Sequence, residues 1–326
     1  MLVKKISRAI EILLTETLVP FYAIFPQFMR NGLVFFAERL YVGTVNSLYY
    51  WDVLTRQKIG NTTFKLWIKG GHRTAQKIYR ATEKSQETYE PLMFGCLQRA
   101  LDASKNPVFI DIGAFMGYYA CYVSSYLKDK TPVYAVESNP DYCKCITHSI
   151  KENNFHNLRL HPGVLSDKEE ILSVYKEYVT KDDPRGKKLK STTLDNICIE
   201  NNIKPTILKV DVDGSEGKVF LGAKKILRES VDFIILELHP DDYLEKSSAG
   251  MKQKDIISIL EENRFKNYVI GGFRFKRSPE KKKFDESGKV SYLEITNENK
   301  EIIFYDRFVD LFIFSVKNHN ITDLLD

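Results

Sequence analysis

From residue 86 onward, apolar positions alternate between two rhythms. Short, mostly apolar runs such as Phe109–Ile112 suit strands buried on both faces, and longer stretches such as Tyr118–Leu127 carry the 3.6-residue period of a helix. Further strands are predicted in "PVYAVESN", "LRLHPGVLSD", "TILKVDVDG" and "DFIILELH", with "NYVIGGFRF" and "DLFIFSVKN" as a closing pair. Helices are predicted in "ETYEPLMFGCLQRAL", "DYCKCITHSIKENNF", "SEGKVFLGAKKILRE" and "QKDIISILEENRF". Alternation of this kind predicts an α/β domain over residues 86–326, a mostly parallel sheet with helices on both faces. Two stretches interrupt it. Residues 167–194 predict a strand or hairpin with a loop, and an insertion near 276–308 predicts a basic loop and a hairpin.

Residues 1–85 follow another pattern. Leu2, Ile6, Ile10, Leu13, Leu14 and Leu18 share one helical face, opposite Lys4, Lys5 and Arg8. An aromatic-rich segment follows, and then "KIGNTTFKLWIKGG", a hairpin with its turn at Gly60–Asn61. This extension carries 13 Lys/Arg against 5 Asp/Glu, whereas the remainder carries 35 against 38. The basic excess therefore sits outside the α/β domain, which argues against a nucleic-acid groove across it. It favours peripheral membrane contact through residues 1–50, or a cap buried on the domain. No apolar run reaches the roughly 18 residues of a spanning helix. Five cysteines without C-x-x-C spacing point to reduced thiols and a cytoplasmic setting.

Candidate chemistry begins at the first strand-to-helix turn. "FIDIGAFMGYYA" places Asp111 two residues before Gly113 and Ala114, with Gly117 opening the helix. The dinucleotide fingerprint G-x-G-x-x-G lacks a glycine here and gains a carboxylate, which repels a pyrophosphate and attracts an ammonium group. Acids recur near strand ends: Asp111, Glu137, Asp211 and Glu237, with Asp167 after the third strand. Buried carboxylates require partners, so the series implies a ligand or one another. Glu137, roughly 20 residues past the turn, suits ribose hydroxyls. Asp167 suits an exocyclic amine, and Asp111 and Asp211 suit the amino-acid end of a ligand. A branched side chain at Gly113 is expected to block that ligand while sparing the fold.

The motifs "YEP" (89–91), "FIDIGAFMGYYA" (109–120), "VYAVESNP" (133–140), "STTLDNI" (191–197), "LKVDVDGSEGKVFLGAKKIL" (208–227) and "FIILELH" (233–239) resemble the FkbM-type S-adenosylmethionine-dependent methyltransferases. The chain departs from the family at Phe115, where Asn is common, at Ser138, where Pro is, and at Asp213, where Glu is usual. The resemblance implies a Rossmann-like class I methyltransferase fold with a seven-stranded sheet, and S-adenosylmethionine as cofactor. It implies O-methylation of a sugar, glycan or lipid-linked acceptor. Two other classes are weighed: an inactive binding or scaffold protein on this fold, and a nucleotide-dependent oxidoreductase. Cofactor contacts are expected from Asp111, Gly113, Ala114, Gly117, Glu137, Asp167 and Asp211. Catalytic roles are expected from Asp211, Glu216, Glu237 and His239, with His239 the base best matched to neutral pH. No cluster has metal-ligand spacing, so no resident metal is expected; a hydrated divalent ion on Asp211, Glu237 and substrate hydroxyls is left open.

Overall fold

The computed structural model describes residues 52–325 apart from 71–73, 75–76, 79–87, 129, 176–177, 181–182, 248–249, 271–291 and 305–309. The expected N-terminal helix, the aromatic segment up to residue 51 and the basic loop of the late insertion lie outside these residues.

The alternation yields β1 (Val53–Ile59), β2 (Thr62–Ile68), α1 (Pro91–Ala103), β3 (Phe109–Ile112), α2 (Tyr118–Leu127), β4 (Val133–Glu137), α3 (Pro140–Asn153) and β5 (Leu158–Pro162). A small excursion follows: β6 (Val164–Leu165), β7 (Ile171–Tyr175), β8 (Tyr178–Thr180) and β9 (Lys187–Thr192). The chain then returns through α4 (Leu194–Glu200), β10 (Ile207–Val210), α5 (Glu216–Leu221), α6 (Lys224–Glu229), β11 (Phe233–Leu238), α7 (Asp241–Ser247) and α8 (Gln253–Glu262). It closes with β12 (Lys266–Ile270), β13 (Tyr292–Glu294), α9 (Lys300–Ile303), β14 (Leu311–Val316) and α10 (Ile321–Leu325).

The main sheet has the order β13-β12-β14-β11-β10-β3-β4-β5. The strands from β11 to β5 are mutually parallel, whereas β14 runs antiparallel to both β11 and β12. Setting aside edge strand β13, this is a seven-stranded, mostly parallel sheet, as the resemblance implies. The chain builds outward from β3 through β4 to β5, then crosses to β10 on the other side, so the topological switch point lies between β3 and β10. β13, at the edge beyond β12, is an eighth strand contributed by the late insertion.

Period two along the strands divides the core. Phe109, Ile207, Phe233 and Ile235 join α1, α2, α3 and the β1–β2 hairpin on one face. Ile110, Ile112, Leu208, Val210 and Leu236 join α4, α5, α6 and α8 on the other. The hairpin turns at Gly60–Asn61 as its sequence predicts, and Phe64 packs edge-on against Tyr122 of α2.

Two elements divide where one was expected. The third strand breaks at Gly163, whose N–H goes to the Glu137 carbonyl; β6 then leaves the main sheet for a four-stranded sheet, β6-β9-β7-β8. The helix expected over Ser215–Glu229 splits at Gly222–Ala223 into α5 and α6. A Cβ at Gly222 would lie 2.2 Å from the Ser166 carbonyl oxygen, so the break lets this backbone meet the end of β6. The new helix start is satisfied from the "STTLDNI" motif, where both Asp195 carboxylate oxygens accept N–H groups, of Lys225 and Ile226.

Candidate active site

The carboxyl ends of β3, β4, β10 and β11 surround a cavity of about 300 Å³. One wall is the turn after β3. Gly113 and Ala114 both donate backbone N–H groups to the Val136 carbonyl, tying the turn to β4. Gly113 (φ +74°) and Gly117 (φ +84°) use the left-handed region. A Cβ at Gly113 would sit 1.7 Å from the Asp211 carbonyl oxygen. The glycine is therefore required by the contact of the turn with β10, and the expectation that a branched residue here would spare the fold is corrected.

Phe115 is also left-handed, at φ +52°. Asn, common in the family at this position, tolerates that conformation better than Phe. Here the phenyl ring packs edge-on against Tyr142, centroids 4.5 Å apart, while the Phe115 N–H donates to Glu137. Asp213, at φ +47°, is the converse case: aspartate suits the left-handed region better than the glutamate usual in the family.

Glu137 ends β4 at the cavity wall, accepting N–H groups from Phe115 at 2.8 Å and Asn139 at 2.7 Å. Burial raises its pKa to about 7 against the pull of these donors.

Asp111 lies deeper. Its side chain is fully buried and is not part of the cavity lining. Oδ2 accepts the Ala120 N–H at 3.1 Å, and Oδ1 lies 3.7 Å from Lys209 Nζ. Burial raises its pKa to about 6, opposed by Lys209. Lys209 joins the site although no motif along the chain marks it as a site residue. Lys209 and Asp111 are register partners across β10 and β3, and period two turns both toward the same face. Nζ also donates to Asp211 Oδ2 at 3.1 Å and to the Gly113 carbonyl at 3.2 Å. Burial works to lower the lysine pKa, but Asp211 and Asp111 hold it above its ordinary value. The signal was present: one lysine inside the apolar run "ILKV" of a buried strand.

Asp211, Asp213, Glu237 and His239 line the opposite wall, with Glu216 behind them. Fully buried Glu216 accepts from Gly214 N–H at 3.2 Å and meets His239 Nδ1 at 2.7 Å. The other imidazole nitrogen, Nε2, lies 3.5 Å from Asp213 Oδ1. Burial favours neutral imidazole, but Glu216, aided by Asp211 and Glu237, overrides it and raises the pKa to about 10. The surrounding acids thus hold the His239 pKa above neutrality, which corrects its expected match to neutral pH. Asp211, Glu237 and His239 each offer a ligand atom within 4.8 Å of the others. Asp167 stands apart, outside the cavity lining, and accepts a bond from Ser166 Oγ.

Five carboxylates line the cavity (Glu90, Glu137, Asp211, Asp213 and Glu237) against Lys77, Lys209 and His239. Such a lining favours a cationic ligand and repels a dinucleotide pyrophosphate.

The methyltransferase FkbM domain model matches residues 111–267, a span that holds the glycine turn and every acid of the opposite wall. The chain carries a methyltransferase FkbM domain. The FkbM domain is an S-adenosylmethionine-dependent methyltransferase domain, and the acidic cavity fits a ligand with sulfonium and ammonium charges. Hexuronic acid methyltransferase AglP of Haloferax volcanii is 27% identical over 186 residues, covering 52% of this chain and 72% of that protein. Methyltransferase FkbM from Methylobacillus flagellatus is a 16% identical structure with TM-score 0.38, matched over 64% of this chain; the match spans 43% of that protein's length. An O-methyltransferase from Bacillus cereus in complex with SAH is 13% identical, with TM-score 0.39, over 74% of this chain and 87% of its own. Among the described residues no helix is long and apolar enough to cross a membrane.

Proposed function

We propose that the protein methylates a hydroxyl oxygen of a sugar or sugar-acid acceptor, free or carried on a glycan or lipid. The observation that carries the reading is the convergence of Asp211, Glu237 and His239 on the wall facing the glycine turn. When bound, S-adenosylmethionine supplies an electrophilic methyl group, its sulfur keeping the electron pair of the breaking C–S bond. The turn at Gly113–Gly117 and the carboxylate of Glu137 hold the nucleoside end, with Glu137 accepting from ribose hydroxyls. Asp111 acts from behind the wall through Lys209, which fixes one oxygen of Asp211 and the Gly113 carbonyl. The Asp211–Glu237–His239 group aligns the acceptor oxygen for in-line attack, and a carboxylate of this wall relieves it of its proton.

The acceptor class draws on the hexuronic acid methyltransferase relative. A non-catalytic scaffold is disfavoured, because a chain released from catalysis has no use for so many buried, mutually repelling carboxylates. The test is to incubate the purified protein with methyl-labelled cofactor and a panel of neutral sugars, hexuronic acids and their lipid-linked forms. Label recovered as a sugar methyl ether supports the reading. Label only on nitrogen acceptors, or none with any acceptor despite cofactor binding, overturns it.

A further inference from the structure

We propose that Asp211, Glu237 and His239 form a binding site for a divalent cation of the magnesium–manganese class, which holds the acceptor hydroxyl during methyl transfer. The role in transfer rests on the function proposed above; the cation site itself does not.

Three observations converge. First, ligand atoms of the three residues lie within 4.8 Å of one another, close enough for small side-chain movements to bring them onto one ion. Second, the imidazole is oriented as in a metal site. Its Nδ1 is engaged at 2.7 Å by Glu216, and Nε2, 3.5 Å from Asp213, coordinates once the incoming cation displaces its proton. A ligating histidine characteristically directs its other nitrogen to a carboxylate, and Glu216 is fully buried in that position. Third, among the described residues that line or back this wall, carboxylates outnumber cations. Glu216 Oε2 is buried with no hydrogen-bond partner, Asp213 stands 3.5 Å from His239 Nε2, and Lys209 serves both Asp111 and Asp211.

Donor chemistry selects the ion. Two carboxylates with no thiolate suit Mg²⁺ or Mn²⁺, the imidazole tilts the set toward Mn²⁺, and coordination positions remain for water or substrate oxygens. A sugar with adjacent hydroxyls, or a hydroxyl next to a carboxylate, chelates through two oxygens and so brings an anionic acceptor into an acidic cavity. In the step itself the acceptor O–H bond breaks and its proton passes to Asp213 at the cavity rim. A lone pair of that oxygen forms the O–CH₃ bond, and the C–S electron pair stays on sulfur. The cation lowers the hydroxyl pKa for this step.

The probe is Mn²⁺ alone, followed by electron paramagnetic resonance of the free ion during titration of the purified full-length protein without acceptor. One ion per chain is expected. Glu237→Gln, and separately the second variant Glu216→Gln, should weaken binding roughly tenfold or more. Calorimetry with S-adenosylhomocysteine, run in parallel, shows whether each variant is folded and tests the methyltransferase reading separately. The cation site is overturned if the parent binds no stoichiometric Mn²⁺. It is equally overturned if folded Glu237→Gln and Glu216→Gln both bind the ion as tightly as the parent. Mn²⁺ binding without S-adenosylhomocysteine binding would keep the site and overturn the function proposed above.

Discussion

Lys209 Nζ stands 3.1 Å from Asp211 Oδ2 and is itself buried, so β10 supplies the cation that fixes the acid just past its own end. The same ammonium reaches Asp111 at 3.7 Å and the Gly113 carbonyl at 3.2 Å, joining β10 to the glycine turn.

Lys209→Met should leave Asp111 buried without a cation. Breaking a buried pair from one side costs about 3–5 kcal/mol, and that loss is expected in urea unfolding. The double variant Lys209→Met/Asp111→Asn should recover part of it. A single variant as stable as the parent would show that the pairing holds nothing together.

Gly113→Ala is expected to destabilise the fold as well as the site. Its Cβ would fall 1.7 Å from the Asp211 carbonyl, and its φ is positive, so β3 and β10 must separate. A loss of roughly 2 kcal/mol or more is expected, measured by denaturant midpoint. Parent-like stability would place the strain elsewhere.

Glu137 gives a pH dependence of definite sign. Its folded pKa, raised from 4.5 to about 7 by burial, means the folded state holds a proton that the unfolded state has released. Stability of the cofactor-free protein should therefore fall as pH rises from about 4.5 to about 7, by roughly 3 kcal/mol from this group. Glu137→Gln should flatten that window. The same variant should weaken S-adenosylhomocysteine binding by roughly 1.5–3 kcal/mol above pH 7, where the parent carboxylate is charged. Identical pH profiles in the two proteins would remove Glu137 from both roles.

Asp211→Asn keeps the side-chain shape and removes its charge. Methyl transfer under saturating cofactor should fall on the order of 10²-fold in a single-turnover assay, with S-adenosylhomocysteine still bound. An unchanged rate would shift the burden of activating the acceptor to Glu237.

Residues 109–127 show how much of this was legible beforehand. The strand, the glycine turn and the helix fall at Phe109–Ile112 and Tyr118–Leu127, where the local pattern puts them, because apolar run length and helical period act within a few residues. The split of the expected helix at Gly222 was not legible, since its cause is the Ser166 carbonyl from another part of the chain. Asp111 was marked by its chemistry, but its buried pairing was hidden, because the partner Lys209 comes from 98 residues later and only the β3–β10 register sets them side by side.

The sequence by itself determined the alternation of strands and helices, the glycine turn, the acids near the strand ends and the family they resemble, all properties of local spacing. The tertiary structure decided which acids share a site. Parallel pairing of β10 with β11 puts Val210 beside Leu236, and this brings Asp211, Glu237 and His239 together although 26 residues separate the first from the second. That spacing resembles no metal or catalytic motif along the chain. Strand order and register arise from burying both faces of a sheet at once, a condition on the whole chain that no local window contains.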